Sequence, residues 1–360
     1  MKVLFFISSL ECGGAERVSA TLCNRFAQRG WDVTLATFDD GSVPPFFPLS
    51  PQVRHVTLGL QRKSTGVVYS VVNNVRRLRR LRAFLADERP DRIVSFIDGT
   101  NVLALLASRW TRIPVVVSER IDPRHHPIPA PWRILRRITY GWASKVVVQT
   151  RAAASYFPKS WQSRIAIVPN PVERPAPAAP AEVERRIVAM GRLEPQKGFD
   201  LLIRAFARIA PEHPGWSLTI LGEGPDRASL EAQAAASGAA SRITLPGREA
   251  NVAGVLQRSG LFVLSSRYEG FPNALCEAMA CGLPVVSFDC PSGPAEIIRD
   301  GVDGLLVPAE DVDALAATMS RLIADPARMR ALGRRAIEIS DRFSMERIEA
   351  MWGSILERGA

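Results

Sequence analysis

Two carboxylates, two cations and a pair of glycines are the residues of this 360-residue chain whose types and spacing could do chemistry. The carboxylates lie in Arg267-Tyr268-Glu269-Gly270-Phe271-Pro272-Asn273-Ala274-Leu275-Cys276-Glu277-Ala278, which follows the apolar run Leu261–Ser265. Pro272 suits the first turn of a helix, where its missing N–H costs nothing. Glu269 then precedes that helix and Glu277 lies more than a turn inside it, so the two address different parts of one ligand. The N–H groups from Gly270 to Leu275 face the same space. A glutamate buried inside a helix needs a partner, and vicinal sugar hydroxyls would serve. The next stretch, Gly282-Leu283-Pro284-Val285-Val286, feeds another buried strand and reads as structural.

The cations lie in Gly191-Arg192-Leu193-Glu194-Pro195-Gln196-Lys197-Gly198-Phe199, another turn between a strand and a helix. Arg192 and Lys197 there could neutralise a diphosphate, the guanidinium by a bidentate bond and the ammonium as a point charge. Two exposed surface cations are the plainer alternative, and the position at a strand end favours function. The glycines Gly13 and Gly14 sit between the first strand and the first helix, where backbone N–H groups can approach an anion. The spacing is neither GxGxxG nor a Walker loop, which argues against a dinucleotide oxidoreductase and a P-loop enzyme. A tight turn would use the same glycines.

These turns need a scaffold that presents strand ends. In the first half, strands are expected at Val3–Ser8, Asp32–Phe38, Arg92–Ile97, Pro114–Ser118 and Lys145–Gln149, with a helix at Ala15–Gln28. The second half repeats the rhythm with strands at Arg186–Met190, Ser217–Leu221, Arg242–Leu245, Leu261–Ser265, Pro284–Phe288 and Leu305–Val307. Helices are expected at Phe199–Ile209 and, last, Met345–Glu357. Short apolar strands alternating with helices imply parallel sheets covered on both faces. The proline- and alanine-rich stretch 168–180 reads as a semi-rigid linker. The expectation is an α/β chain of two doubly wound Rossmann-like domains, 1–174 and 175–360, facing across a cleft at their strand ends.

With 47% hydrophobic and 23% charged residues the chain can build cores of that size, which excludes wholesale disorder. Five scattered cysteines without CxxC spacing fit neither a disulfide framework nor a zinc site, and point to a reducing compartment. No apolar run reaches the roughly 18–20 residues that cross a bilayer. The apolar start breaks at Glu11 without a cleavage site, so a buried strand is expected rather than a signal peptide.

Charge is lopsided. Residues 1–175 carry 26 Lys/Arg against 12 Asp/Glu, a balance of +14, and the remainder 20 against 24, a balance of −4. The basic half should seek a polyanion. In the stretch Val75–Leu85, Val75, Leu78, Leu81 and Leu85 form one helical stripe, with Arg76, Arg77, Arg79, Arg80 and Arg82 on the other faces. That is the pattern of a helix at an anionic membrane interface. A second stretch, Trp132–Tyr140, is basic and aromatic, and reads equally as an amphipathic helix covering a sheet. Nucleic acid is not expected as a partner, because no RNP, helix-turn-helix or zinc-finger pattern accompanies the charge.

The GGAER turn, GRLEPQKG and EGFPNALCEAMACGLPVV together resemble the retaining GT4-type glycosyltransferases, which have a GT-B fold. The likeness spans nearly the whole chain, and the Glu-x7-Glu element is its most specific part. It implies that Glu269 contacts the transferred sugar, Glu277 the ribose hydroxyls, and Arg192 and Lys197 the donor diphosphate. Gly14 would give an N–H to phosphate, while Gly270, Phe271, Asn273, Ala274 and Leu275 would line the donor site. The last helix would be able to pack back on the first domain. No DxD-like motif stands at a matching strand end, and Asp39-Asp40 reads as solvated, so no metal or other cofactor is expected. Retention without an opposing nucleophile implies front-face attack.

Many relatives carry a histidine where this chain has Glu119-Arg120, with His125 and His126 following. Glu119 or a histidine would orient the acceptor hydroxyl, with Arg120 beside it; a histidine pair without a role is the alternative. The SER-x-DP form resembles the subgroup of surface polysaccharide and lipid-linked oligosaccharide assembly. The implied partners are a nucleotide sugar (UDP-linked, with GDP as the alternative), a polyprenyl-diphosphate-linked saccharide and an anionic membrane. Base recognition would use backbone near Gly247 and Arg248. The location implied is cytoplasmic, peripheral on the inner membrane face. A nucleotide-sugar epimerase of the same architecture and a non-catalytic basic binding protein are the competing functions.

Overall fold

The computed structural model describes residues 1–11, 13–60, 67–125, 128–176 and 183–358. They form two compact units, Met1–Pro169 with Glu346–Ala360, and Asn170–Met345.

In the first unit, seven strands are β1 (Lys2–Ile7), β2 (Asp32–Thr37), β3 (Val53–Thr57), β4 (Arg92–Phe96), β5 (Val115–Ser118), β6 (Lys145–Val148) and β7 (Ile165–Ile167). They pair in parallel in the order β3-β2-β1-β4-β5-β6-β7. The helices are α1 (Gly14–Gln28), α2 (Val67–Glu88), α3 (Asp98–Ser108), α4 (Ala130–Thr139) and the short α5 (Arg151–Ala154). Val3 to Ile7 are fully buried, as the apolar run of a central strand covered on both faces requires. The edge strands β3 and β7 have no such run and were not expected from the sequence. In β3 the residues after Val53 are half-buried or exposed and mostly polar, and β7 is only three residues long and half-buried throughout.

The second unit holds β8 (Arg186–Met190), β9 (Ser217–Leu221), β10 (Ile243–Gly247), β11 (Leu261–Leu264), β12 (Val285–Asp289) and β13 (Leu305–Pro308), in the order β10-β9-β8-β11-β12-β13. Its helices are α6 (Phe199–Ile209), α7 (Arg227–Ala236), α8 (Val252–Arg258), α9 (Asn273–Ala280), α10 (Pro294–Ile297), α11 (Val312–Ile323), α12 (Pro326–Ala336) and α13 (Ile339–Arg342). In each sheet the chain starts in the middle, winds one way, then crosses back and winds the other. The reversal falls between β1 and β4 and between β8 and β11, and the loops leaving such a pair diverge to open a ligand crevice.

The last helix, α14 (Met345–Arg358), belongs to the first unit. Trp352 is fully buried there, its ring 6.0 Å from that of Phe96. Arg25 reaches Glu349 at 2.9 Å and Glu346 at 3.2 Å, and Arg92 Nε donates to the Leu356 carbonyl at 3.0 Å.

The arginine-rich helix α2 corrects one expectation. Leu81 and Leu85 are buried in the core of the first unit and Leu78 packs against it. Hydrophobic burial against the sheet claims this stripe, so it is not available to lipid; only Val75 of the four is exposed. Arg77 is also claimed by the fold: Nε donates to the Leu60 carbonyl at 2.8 Å and Nη1 to Asn74 Oδ1 at 3.0 Å. Arg76, Arg79, Arg80 and Arg82 remain exposed.

Candidate active site

In the second unit the turn after β8 meets the turn after β11. The first closes as a short 3-10 turn, Pro195–Lys197, and then passes through Gly198 into α6. Gly198 adopts φ +61°, and a Cβ there would lie 2.1 Å from the Ser265 carbonyl oxygen. Only glycine permits that approach. Ser265 Oγ donates to the Lys197 carbonyl at 2.9 Å, the Arg267 N–H to the Gln196 carbonyl at 2.8 Å, and Gln196 Nε2 to the Tyr268 carbonyl at 3.0 Å. The Arg267 guanidinium grips both oxygens of Asp200, at 2.9 and 2.7 Å.

These bonds set Lys197 Nζ 2.7 Å from Glu269 Oε1, which also accepts from Ser266 Oγ at 2.6 Å. Glu269 is only 4% exposed. A carboxylate so buried depends on its cation and hydroxyl. The loop after β12 closes from the other side: the Glu269 N–H donates to the Pro291 carbonyl at 3.2 Å. Gly293, at φ +122°, would carry a Cβ only 2.7 Å from Pro272 Cδ.

The other expected residues divide. Arg192 stands at the same sheet end, but its side chain is 70% exposed and pairs with Glu194 at 3.2 Å rather than with the buried pair. Glu277 is the fifth residue of α9 and half-buried, so Glu269, not Glu277, is the buried carboxylate. Pro272 precedes the helix instead of lying in its first turn. Asn273 Oδ1 accepts from Asn170 Nδ2 at 2.7 Å. Gly270 and Ala274 are half-buried. Phe271 and Leu275 belong to the core, so their side chains serve packing and only their backbone is left for a ligand. The Gly247 carbonyl accepts from the Gly222 N–H at 2.8 Å.

In the first unit, Gly13 caps α1 and Gly14 is its first residue. Glu16 in that turn is raised by burial, with Arg120 acting against the shift. Burial in turn lowers Arg120 to about 9, opposed by Glu16. The turn after β1 and the residue just beyond β5 therefore meet electrostatically. Glu119 does not reach solvent: Oε1 accepts from Tyr140 Oη at 2.5 Å and lies 3.8 Å from Arg136, and Asn101 Nδ2 donates to the same tyrosine at 2.9 Å. Burial raises its carboxyl to about 7 despite Arg136 and Tyr140. In this conformation it meets protein groups, not an acceptor. His125 is half-buried, its N–H donating to the Asp122 carbonyl at 3.0 Å, and His126 lies outside the described residues. Ser266 and Asn101 gave no signal in the sequence, being single polar residues, while Tyr140 and Asn170 lay in stretches read for their charge and their proline content rather than for a site.

Two parallel-sheet Rossmann-like domains, each with a strand-order reversal, define the GT-B class. Residues 13–171 match the model of the "Glycosyl transferase 4-like domain" and residues 173–339 that of "Glycosyl transferases group 1". The chain belongs to this glycosyltransferase family, and it is an enzyme. It is 28% identical to the amylovoran biosynthesis glycosyltransferase AmsD of Erwinia amylovora, over 99% of each chain. It is 26% identical to an alpha-1,4-N-acetyl-D-galactosaminyltransferase of Campylobacter jejuni, over 98% of this chain and 97% of that one. A Streptomyces coelicolor exopolysaccharide phosphotransferase is 40% identical over 52% of this chain, which spans only 20% of that protein. Among solved structures, Anabaena Alr3699/HepE in complex with UDP superposes with a TM-score of 0.80 at 20% identity, covering 99% of this chain and all of that one. Among the described residues no helix is long and apolar enough to cross a membrane.

Proposed function

We propose that this glycosyltransferase moves a hexosyl or N-acetylhexosaminyl group, with retention, from a UDP-sugar to a polyprenyl-diphosphate-linked saccharide during assembly of a surface polysaccharide or glycan. The observation that carries the reading is the Lys197–Glu269 pair, held with Ser266 where β8 and β11 diverge. Departure of the nucleoside diphosphate puts negative charge on its β-phosphate. The fixed ammonium of Lys197, joined by Arg192 swinging in from the surface, stabilises that charge. Glu269 then faces the transferred sugar and Glu277 the ribose. The N–H groups of Gly270 to Leu275 line the donor.

The UDP complex of the Anabaena neighbour supports the base, and the Campylobacter relative, whose full name specifies a diNAcBac-PP-undecaprenol-linked substrate, supports the acceptor class. The basic first half suits an anionic acceptor at the cytoplasmic face of a membrane. The test incubates the chain with radiolabelled UDP-sugars and a polyprenyl-diphosphate saccharide. Label should enter the organic phase, and Lys197→Ala or Glu269→Gln should reduce transfer roughly 10²–10³-fold. No transfer from any common UDP donor overturns the proposal, as does donor epimerisation without acceptor. Calorimetry with UDP and GDP decides the base.

A further inference from the structure

The apolar stripe of α2 is spent on the core, yet the first unit leaves large side chains in solvent elsewhere. Trp110, just beyond α3, is 79% exposed, and Trp142, just beyond α4, is 40% exposed. Ile134, Ile138 and Trp142 recur at four-residue spacing, all exposed, with Arg133 and Arg137 beside them. Val72 and Val75 of α2 are exposed next to Arg76 and Arg79.

These residues are joined. Helix α2 packs on α3 and α3 on α4. The Arg82 guanidinium of α2 stacks 4.6 Å from the Trp110 ring, and Arg109 stacks 4.8 Å from that of Trp142. A run of alternating guanidinium and indole thus ties the three helices along one surface. Arg133 and Arg137 also border a cavity of about 370 Å³ walled by Tyr156, Phe157 and Trp161. Charge there is of one sign: no Asp or Glu occurs between Asp98 and Glu119, nor between Asp122 and Glu173.

We propose that this outer layer of α2, α3 and α4 seats the enzyme on an anionic phospholipid bilayer, with Trp110 and Trp142 at the level of the headgroups and the arginines among lipid phosphates. The inference deepens the proposed action on a lipid-linked acceptor and rests on that reading for its purpose. Indole rings prefer the interface between water and hydrocarbon, and guanidinium groups there meet phosphate while their stems lie along apolar surface. Each basic residue near such a surface adds about 1 kcal/mol. A neutral bilayer offers the rings a place but the arginines none, so anionic lipid is the occupant that fits.

The test is co-sedimentation of the whole chain with vesicles of phosphatidylcholine alone or mixed with phosphatidylglycerol. Capture should require the anionic lipid. Trp110→Ala with Trp142→Ala should reduce partition roughly tenfold, and Arg76→Gln with Arg79→Gln and Arg80→Gln by about 10²-fold. Unfolding temperature serves as the fold control. Should the tryptophan variant fail to fold, native indole emission should still be quenched by phosphatidylglycerol with brominated acyl chains. Equal capture by neutral vesicles, unchanged partition of the tryptophan variant, or unquenched emission overturns the proposal. UDP binding is measured beside it: if UDP binds but vesicles do not, this surface alone falls, and if vesicles bind but UDP does not, the donor reading falls.

Discussion

Replacing Gly198 with alanine tests how the two turns at the strand ends depend on each other. The native residue holds φ +61°, and an added Cβ would stand 2.1 Å from the Ser265 carbonyl oxygen, where about 3.0 Å is the shortest tolerable contact. The Ser265 backbone must therefore retreat by about 0.9 Å. The left-handed conformation costs alanine about 1 kcal/mol more than glycine. The retreat also stretches the hydrogen bond from Ser265 Oγ to the Lys197 carbonyl and that from the Arg267 N–H to the Gln196 carbonyl, each a contribution of about 1 kcal/mol. The sum is about 3 kcal/mol, a fall of roughly 6–12 °C in the Tm of a domain of this size. Lys197 and Glu269 sit on opposite sides of the disturbed contact, and a misplacement near 1 Å typically costs about 10²-fold in rate. Differential scanning calorimetry and the transfer assay read both quantities. A variant that melts within about 2 °C of the native protein and transfers sugar at the native rate would refute the coupling.

Three further outcomes are expected. Glu119 has its carboxyl raised to about 7 by burial, so the folded state holds its proton over a range where the unfolded chain has lost it, and stability should decline between about pH 4.5 and 7 and level off above. Glu119→Gln should remove that decline, gaining on the native protein by on the order of 3 kcal/mol between pH 5 and 8 in urea titrations; a pH-independent difference would contradict it. Trp352→Ala empties a fully buried site against Phe96 and should cost about 3–5 kcal/mol, seen as early loss of the first unit in hydrogen exchange. Arg77→Gln should destabilise by about 1 kcal/mol through the lost bond to the Leu60 carbonyl, whereas Arg79→Gln should stay within about 0.5 kcal/mol, both by chemical denaturation.

The central strands were legible because burial on both faces writes an apolar run into the sequence: β8 and β9 fall at their expected residues, β1 is shifted by one residue at both ends, and β11 stops one residue early. The edge strands were not, since Val53-Arg54-His55-Val56-Thr57 alternates with polar residues and Ile165–Ile167 is too short to stand out. At the site, the motifs named Lys197 and Glu269, but their 2.7 Å contact, between residues 72 positions apart, depends on β8 lying beside β11, which no local pattern encodes. The same applies to the grip of Arg267 on Asp200. On α2, spacing located Leu78, Leu81 and Leu85 of the apolar stripe, while Val75 lies outside it. What it covers was a matter of tertiary packing.

The return of α14 to the first unit bears on how the protein is made. Residues 346–358 leave the ribosome only after the whole of the second unit, 170–345, has been synthesised. Until then the first sheet lacks Trp352 and the partners of Arg25 and Arg92. The second unit closes its core from one contiguous stretch, whereas the first draws on two, and until residues 346–358 arrive it keeps hydrophobic surface open beside Phe96.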